Sequence, residues 1–127
     1  MKTYDLAPLI VSDDAYNITD LLVDRVARTP KLAIFSRPDE QGRWSPVTAE
    51  EFMAEVIAVA KGLAASGVQP GQAVAIMSRT RYEWSLIDFA IWFAGAVSVP
   101  IYESSSPAQM QWIISDSDSV AVVLETN

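Results

Sequence analysis

Two short segments of this chain carry the side chains best suited to chemistry. Ser78-Arg79-Thr80-Arg81-Tyr82-Glu83-Trp84 follows an apolar run of strand length, Ala73 to Met77. Open α/β sheets bind ligands just past the carboxyl ends of their strands, so Arg79 and Arg81 stand where two guanidiniums could grip an anionic group. Tyr102-Glu103-Ser104-Ser105-Ser106 follows a second apolar run, and Tyr102, Glu103 and Ser104 offer polar contacts there. Both segments also have a structural explanation. Serine and threonine are what a helix start asks for, and surface arginines are ordinarily solvated. Spacing alone leaves the two explanations open.

Composition removes most other chemistry. There is no histidine and no cysteine, so Ser-His-Asp triads, Cys-His dyads, disulfides and ordinary zinc sites are excluded within these 127 residues. No nucleophile lies beside a base and no carboxylate pair has useful spacing, so no residue is assigned a catalytic or metal-binding role. The five glycines, at 42, 62, 67, 71 and 95, never fall into GxGxxG or GxxxxGK spacing. No cofactor site is therefore assigned in this chain. Nine Lys and Arg against sixteen Asp and Glu give a net charge of −7, which argues against a nucleic-acid partner.

The elements that must position the two segments follow from capping and periodicity. Asn17 can cap a helix carrying Ile18, Leu21, Leu22 and Val26 on one face, with Asp20 at its positive start and Pro30 beyond its end. Leu32 to Ser36 and Arg43 to Val47 read as strands joined through Pro38-Asp39-Glu40-Gln41-Gly42, a hairpin. Thr48 and Glu51 form a capping box for a helix through Ser66, closed by Gly67. Thr80 and Glu83 have the same spacing before Trp84 to Ala94, a helix apolar nearly all round and interrupted by Ser85 and Asp88. Ser106 and Gln109, with Pro107 between, form a third such box and start a fourth helix with Met110, Ile113 and Ile114 on its apolar face. Trp92 and Trp112 are expected as core or interface anchors.

Apolar runs at Ala73 to Met77, Ala96 to Tyr102 and Val120 to Leu124 alternate with these helices. Strands apolar on both faces and separated by capped helices imply a parallel sheet covered by helices, an α/β fold. The expected organisation is one partial domain: an N-terminal arm at 1–17, a helix and hairpin at 18–47, and βα units at 48–125. The longest uncharged stretch, Phe89 to Tyr102, has 14 residues and contains Gly95 and Pro100. A membrane-spanning helix needs about 20. Met1 to Leu9 carries Lys2 and Asp5 with no apolar core behind them, so no secretory signal is read there. A cytoplasmic location is expected, with peripheral attachment to a membrane left open.

Trp44 through Thr48 to Phe52, then GLAASGVQPGQAVAIMSRTRYEW, then FAIWFAGAVSVPIYESSSPAQMQWIISDSDSVAVVLE resemble the start of acyl-adenylate-forming, AMP-binding enzymes. The likeness runs from Ile18 to Glu125. It is strongest to bacterial long-chain fatty-acid–CoA ligases of the actinobacterial type. Residues 94–117 are its most specific part, and Arg81-x-Glu83-Trp84 also matches, although many relatives carry Asn where this chain has Thr80.

The resemblance implies a parent enzyme that uses ATP, Mg and coenzyme A. A fatty carboxylate attacks the α-phosphate of ATP to give an acyl-adenylate and pyrophosphate, and the coenzyme A thiol then displaces AMP. It also implies that the Ser/Thr/Gly-rich phosphate loop, the aromatic-Thr-Glu motif, the ribose-binding Asp and the catalytic Lys come later than these residues. This chain is therefore expected to be an N-terminal portion of such a ligase, inactive alone, whose partner is the remainder of the ligase chain. An adenylating enzyme for another acid class and a stand-alone interaction module are the alternatives. Uncovered apolar surface on the Trp84–Ala94 helix and the last strand is expected to drive self-association as a homodimer.

Overall fold

The computed structural model describes Leu6 and residues 15–125. The expected N-terminal arm lies, but for its last three residues and Leu6, outside them. Four helices and five strands follow in the order α1 (Ile18–Arg28), β1 (Ala33–Pro38), β2 (Trp44–Thr48), α2 (Ala49–Ala65), β3 (Ala73–Met77), α3 (Tyr82–Phe93), β4 (Val97–Ile101), α4 (Pro107–Asp116) and β5 (Ala121–Leu124). β1 and β2 form an antiparallel hairpin; β3, β4 and β5 form a separate parallel sheet in the order β4-β3-β5. The parallel α/β expectation holds.

Helix starts follow their side chains. Asn17, Thr48 and Ser106 each accept from an amide of the first turn, and Asp20, Glu51 and Gln109 reach back to the cap amide. α3 departs from the expected box. Its N-cap is Arg81, which makes no side-chain cap bond, because the helix begins one residue later than the Thr80–Glu83 spacing requires. Glu83 instead pairs with Arg81 at 2.5 Å.

Helix ends follow a common device. Val68 N–H donates to Leu63 O and Gly67 N–H to Ala64 O after α2, and Ala96 and Gly95 repeat the pattern onto Ile91 and Trp92 after α3. After α4 the same pattern is made with Asp118 in the left-handed position, φ 49°.

The parallel register sorts the sheet residues onto two faces. Val74 and Ile76 of β3, with Ala121 and Val123 of β5, pack on Ile91, Trp84 and Ile87 of α3. On its other side α3 meets α2, α1 and the hairpin through Phe52, Val56, Tyr82, Ala90, Leu22 and Val47. Lying between two cores explains why α3 is apolar nearly all round; only Glu83 of its residues is exposed. The expectation that this helix would offer apolar surface to solvent is thus corrected, because α2 and the sheet already cover it.

The apolar surface lies instead on the opposite sheet face. Ala73, Ala75 and Met77 share that face with Val97, Val99, Ile101, Val122 and Leu124. Val97, Val122 and Leu124 are exposed. α4 has no fully buried residue, and Trp112 on it is 65% exposed and not a core anchor. Ile18 and Leu21 of α1 are likewise exposed, so only part of that helix's expected apolar face is used.

Candidate functional site

The loop after β3 (78–81) leads to α3 on one face of the sheet, and the loop after β4 (102–106) leads to α4 on the other. Adjacent strands whose loops part in this way open a crevice at their carboxyl ends, the position where open α/β sheets bind ligands. A crevice of about 300 Å³ lies there, lined by Ser78, Arg79, Thr80, Trp84, Pro100, Ile101, Tyr102 and Glu103. The two segments singled out in the sequence therefore meet. Arg79, Tyr102 and Glu103 all face this space, Tyr102 with 84% of its surface exposed. Ser104 is exposed in the loop beyond.

Arg81 is not on the crevice wall. Its guanidinium is held by Glu83 at 2.5 Å and by Glu125 at 2.8 Å. Arg79 is held as well. Glu125 accepts from Arg79 Nη2 at 2.7 Å, from the Arg79 backbone N–H at 3.0 Å and from Ser78 Oγ at 3.2 Å. Hydrogen bonds from the Arg79 guanidinium first, then from the Arg79 amide and Arg81, hold the Glu125 carboxyl well below the usual carboxylate range. Both arginines thus face a carboxylate of this chain.

Sequence reading did not single out Glu125. It stands after a short apolar run with no local motif, and its partners are 44 to 47 residues away. Only the parallel pairing of β5 with β3 brings them together.

A second, more apolar groove of about 540 Å³ runs beneath α4 along the open sheet face. Met77, Ile101, Met110, Ile114, Val122 and Leu124 form its walls, with Ser78, Arg79, Glu103 and Glu125 at one end. Its volume is in the range of roughly 300–1,000 Å³ typical of small-molecule sites.

Asp88 is the one buried charged residue among those described, 7% exposed on the sheet side of α3. Its Oδ1 and the Ser98 Oγ of β4 are buried without a well-aligned hydrogen-bond partner among the described residues. Burial pushes the Asp88 carboxyl above its usual pKa, a push only partly opposed by the nearby Ser98 hydroxyl. The folded state therefore holds this proton more tightly than the unfolded chain does. Its stabilising share is complete below the unfolded carboxylate pKa of about 3.9 and is lost as pH rises through the folded value. Asp88→Asn should gain on the wild type as pH rises from the unfolded carboxylate pKa of about 3.9 through the raised folded value, by about 1.4 kcal/mol per unit of the upward shift. Urea melts across that range check this; parallel stability–pH curves for the two proteins would contradict it.

Among the described residues no group of three or more Asp, Glu, His or Cys could hold a metal ion, and no helix is long and apolar enough to cross a membrane.

Comparison with known proteins sets this geometry in a family. Residues 22–127 match the AMP-binding enzyme family model. The long-chain-fatty-acid–CoA ligase FadD15 of Mycobacterium tuberculosis is 40% identical over 95% of this chain. The match covers 20% of that ligase, so the chain spans about a fifth of the length of the curated relatives it matches first. A fatty acid AMP ligase from Legionella pneumophila superposes with a TM-score of 0.72 at 22% identity, over 84% of this chain and 19% of its own. The CmiS6 crystal structure superposes with a TM-score of 0.77 at 23% identity, over 96% of this chain and 31% of its own. At these identities the two structures establish a shared fold.

Proposed function

The chain belongs to the AMP-binding enzyme family, and from that membership we propose that it is the N-terminal part of an ATP-dependent long-chain fatty-acid–CoA ligase. The observation that carries this reading is the 40% identity to FadD15 across 95% of the chain. The complete protein would join a fatty acid to ATP with Mg, release pyrophosphate, and pass the acyl group from AMP to coenzyme A, in the cytoplasm. A carboxylate is a poor acyl donor; the mixed anhydride with AMP provides a good leaving group. Charge developing on phosphate needs metal and cationic donors.

The described residues do not fit ATP-Mg. They offer no three-ligand metal group, and the glycine spacing forms no phosphate loop. The contribution proposed for this chain is positional. Residues 48–125 supply parallel βα units, and the crevice at Arg79, Tyr102 and Glu103 forms part of a wall.

The test is palmitate-dependent exchange of pyrophosphate into ATP. The complete gene product should catalyse it, and the 127 residues alone should match a buffer blank. Exchange by the 127-residue chain that survives repurification overturns the division of labour; none by the complete protein overturns the ligase reading.

We also assign the open sheet face to packing against the remainder of the ligase chain. Val97, Val122 and Leu124 are exposed there. β4 and β5 each leave one edge unpaired among the described residues. Expressed alone, the chain should bury this face in a symmetric dimer. Sedimentation equilibrium should show the dimer mass, and Val122→Lys should return it to monomer. A monodisperse wild-type monomer at high concentration contradicts this.

A further inference from the structure

Two cores close within the described residues. Phe52, Tyr82 and Val47 join α2, α3 and the hairpin, while Val74, Ile76 and Ile91 join α3 to the sheet. Phe52, Val56, Val74, Ile76 and Ile91 have no exposed surface. What is left uncovered is one continuous surface. β3, β4 and β5 carry no charged residue, and Val97, Val122 and Leu124 stand exposed on the sheet face away from α3. α4, over that face, has no buried residue and leaves Trp112 exposed. A parallel sheet is ordinarily covered on both faces.

The two free sheet edges differ. β4 keeps its pairing with β3 through Pro100. Proline has no N–H, so inside a strand it is tolerated where its nitrogen faces an unpaired edge. The outer edge of β4 therefore lacks a donor at Pro100 and is blunted against a further strand. β5, Ala121-Val122-Val123-Leu124, contains no proline. A further strand joins the sheet at β5.

The same segment occurs at two chain lengths among its relatives. It matches 20% of FadD15. The uncharacterized protein Rv1549 of Mycobacterium tuberculosis is 29% identical over 62% of this chain, and that match makes up 45% of its own length. A fifth of a long ligase thus recurs as nearly half of a short protein, which a unit with its own closed cores permits.

We propose that this chain is a separable subunit of the ligase, which binds the remainder of the ligase chain through the open sheet face and the free edge of β5 without needing the peptide bond after Asn127. The identity of the partner rests on the ligase reading above; the surface rests on the fold. The partner's matching surface is apolar and offers a strand to β5. It also competes with the pairing of two copies of this chain, because both uses bury Val97, Val122 and Leu124.

Nicking the complete protein tests this. A protease site inserted after Asn127 is cut without denaturant, and the pieces are sized. They should elute together at the mass of the uncut protein and keep its palmitate-dependent pyrophosphate exchange. After separation in urea, dilution should bring them back together in equal amounts. Val122→Lys should weaken the union of the cut pieces at least about tenfold, because a lysine would have to be buried in an apolar contact. Leu21→Lys, on the exposed side of α1, should leave it unchanged; Val97→Ser replaces Val122→Lys should the lysine prevent folding. Pieces that part on sizing without denaturant overturn the proposal. So does equal retention of the pieces carrying the sheet-face and α1 substitutions. Elution needs no activity: an uncut protein without exchange overturns the ligase reading, and co-elution still decides the docking.

Discussion

Replacing Phe52 with alanine should cost about 3–5 kcal/mol, a large part of the roughly 5–15 kcal/mol that holds an ordinary domain. Phe52 is fully buried on α2. Its ring centroid lies 4.6 Å from Phe35 of β1, 5.9 Å from Tyr82 and 5.5 Å from Phe89 of α3. One side chain thus joins the hairpin, α2 and α3. The polar rim of the cluster cannot compensate. Tyr82 Oη donates to Glu55 at 2.9 Å, Arg37 pairs with Glu55 at 3.0 Å, and the Arg37 guanidinium lies 4.9 Å from the Tyr82 ring centroid. Those contacts need the rings beneath them in place. Phe52→Leu keeps most of the volume and should lose far less. Urea melts separate the two variants; a loss below about 1 kcal/mol for Phe52→Ala would show that the hairpin and helices are not one core.

Gly95→Ala should destabilise the chain by about 2 kcal/mol. Gly95 ends α3 at φ 74°, where an L side chain is strained. A Cβ there would also sit 3.2 Å from the Pro70 Cβ. Nor can the backbone shift to relieve this. Gly71 N–H donates to Gly95 O at 2.7 Å, and Ala96 N–H to Ile91 O at 3.0 Å. The control is Gly62 in the interior of α2, where an added Cβ meets nothing within 4 Å. Gly62→Ala should gain about 1 kcal/mol from helix propensity. Opposite signs in thermal or urea melts bear this out, and equal effects would contradict it.

What was legible in the sequence was what local physics decides. Apolar runs of strand length between capped helices were enough to expect β3, β4 and β5 as parallel strands. Asn17, Thr48 and Ser106 showed where three helices begin. Thr80 misled because a Thr-x-x-Glu spacing does not by itself fix the first helical residue: α3 starts one residue later with Arg81 as its N-cap, and Glu83 pairs with Arg81. The face that each helix covers was less legible. α3 looked like surface awaiting a partner, yet α2 and the sheet enclose it. α4 looked like a core helix, yet Met110 and Ile114 only overhang an open groove. The two candidate segments were found because strand ends position ligands, and the structure brings Arg79 together with Tyr102 and Glu103. Glu125 was not found, because its role exists only through pairing across the sheet. Asp88 had a visible signal, a charge inside an apolar helix, but its burial beside the Ser98 hydroxyl of β4 was not visible.

The measurement that bears most directly on the proposed function is product analysis of the complete protein containing these residues. It would be supplied with ATP, Mg, coenzyme A and an equimolar mixture of palmitate, benzoate and a neutral amino acid. The account predicts palmitoyl-CoA as the dominant product, with AMP and pyrophosphate released in equal amounts. Benzoyl or aminoacyl products in place of palmitoyl-CoA, or no acyl transfer at all, would contradict it.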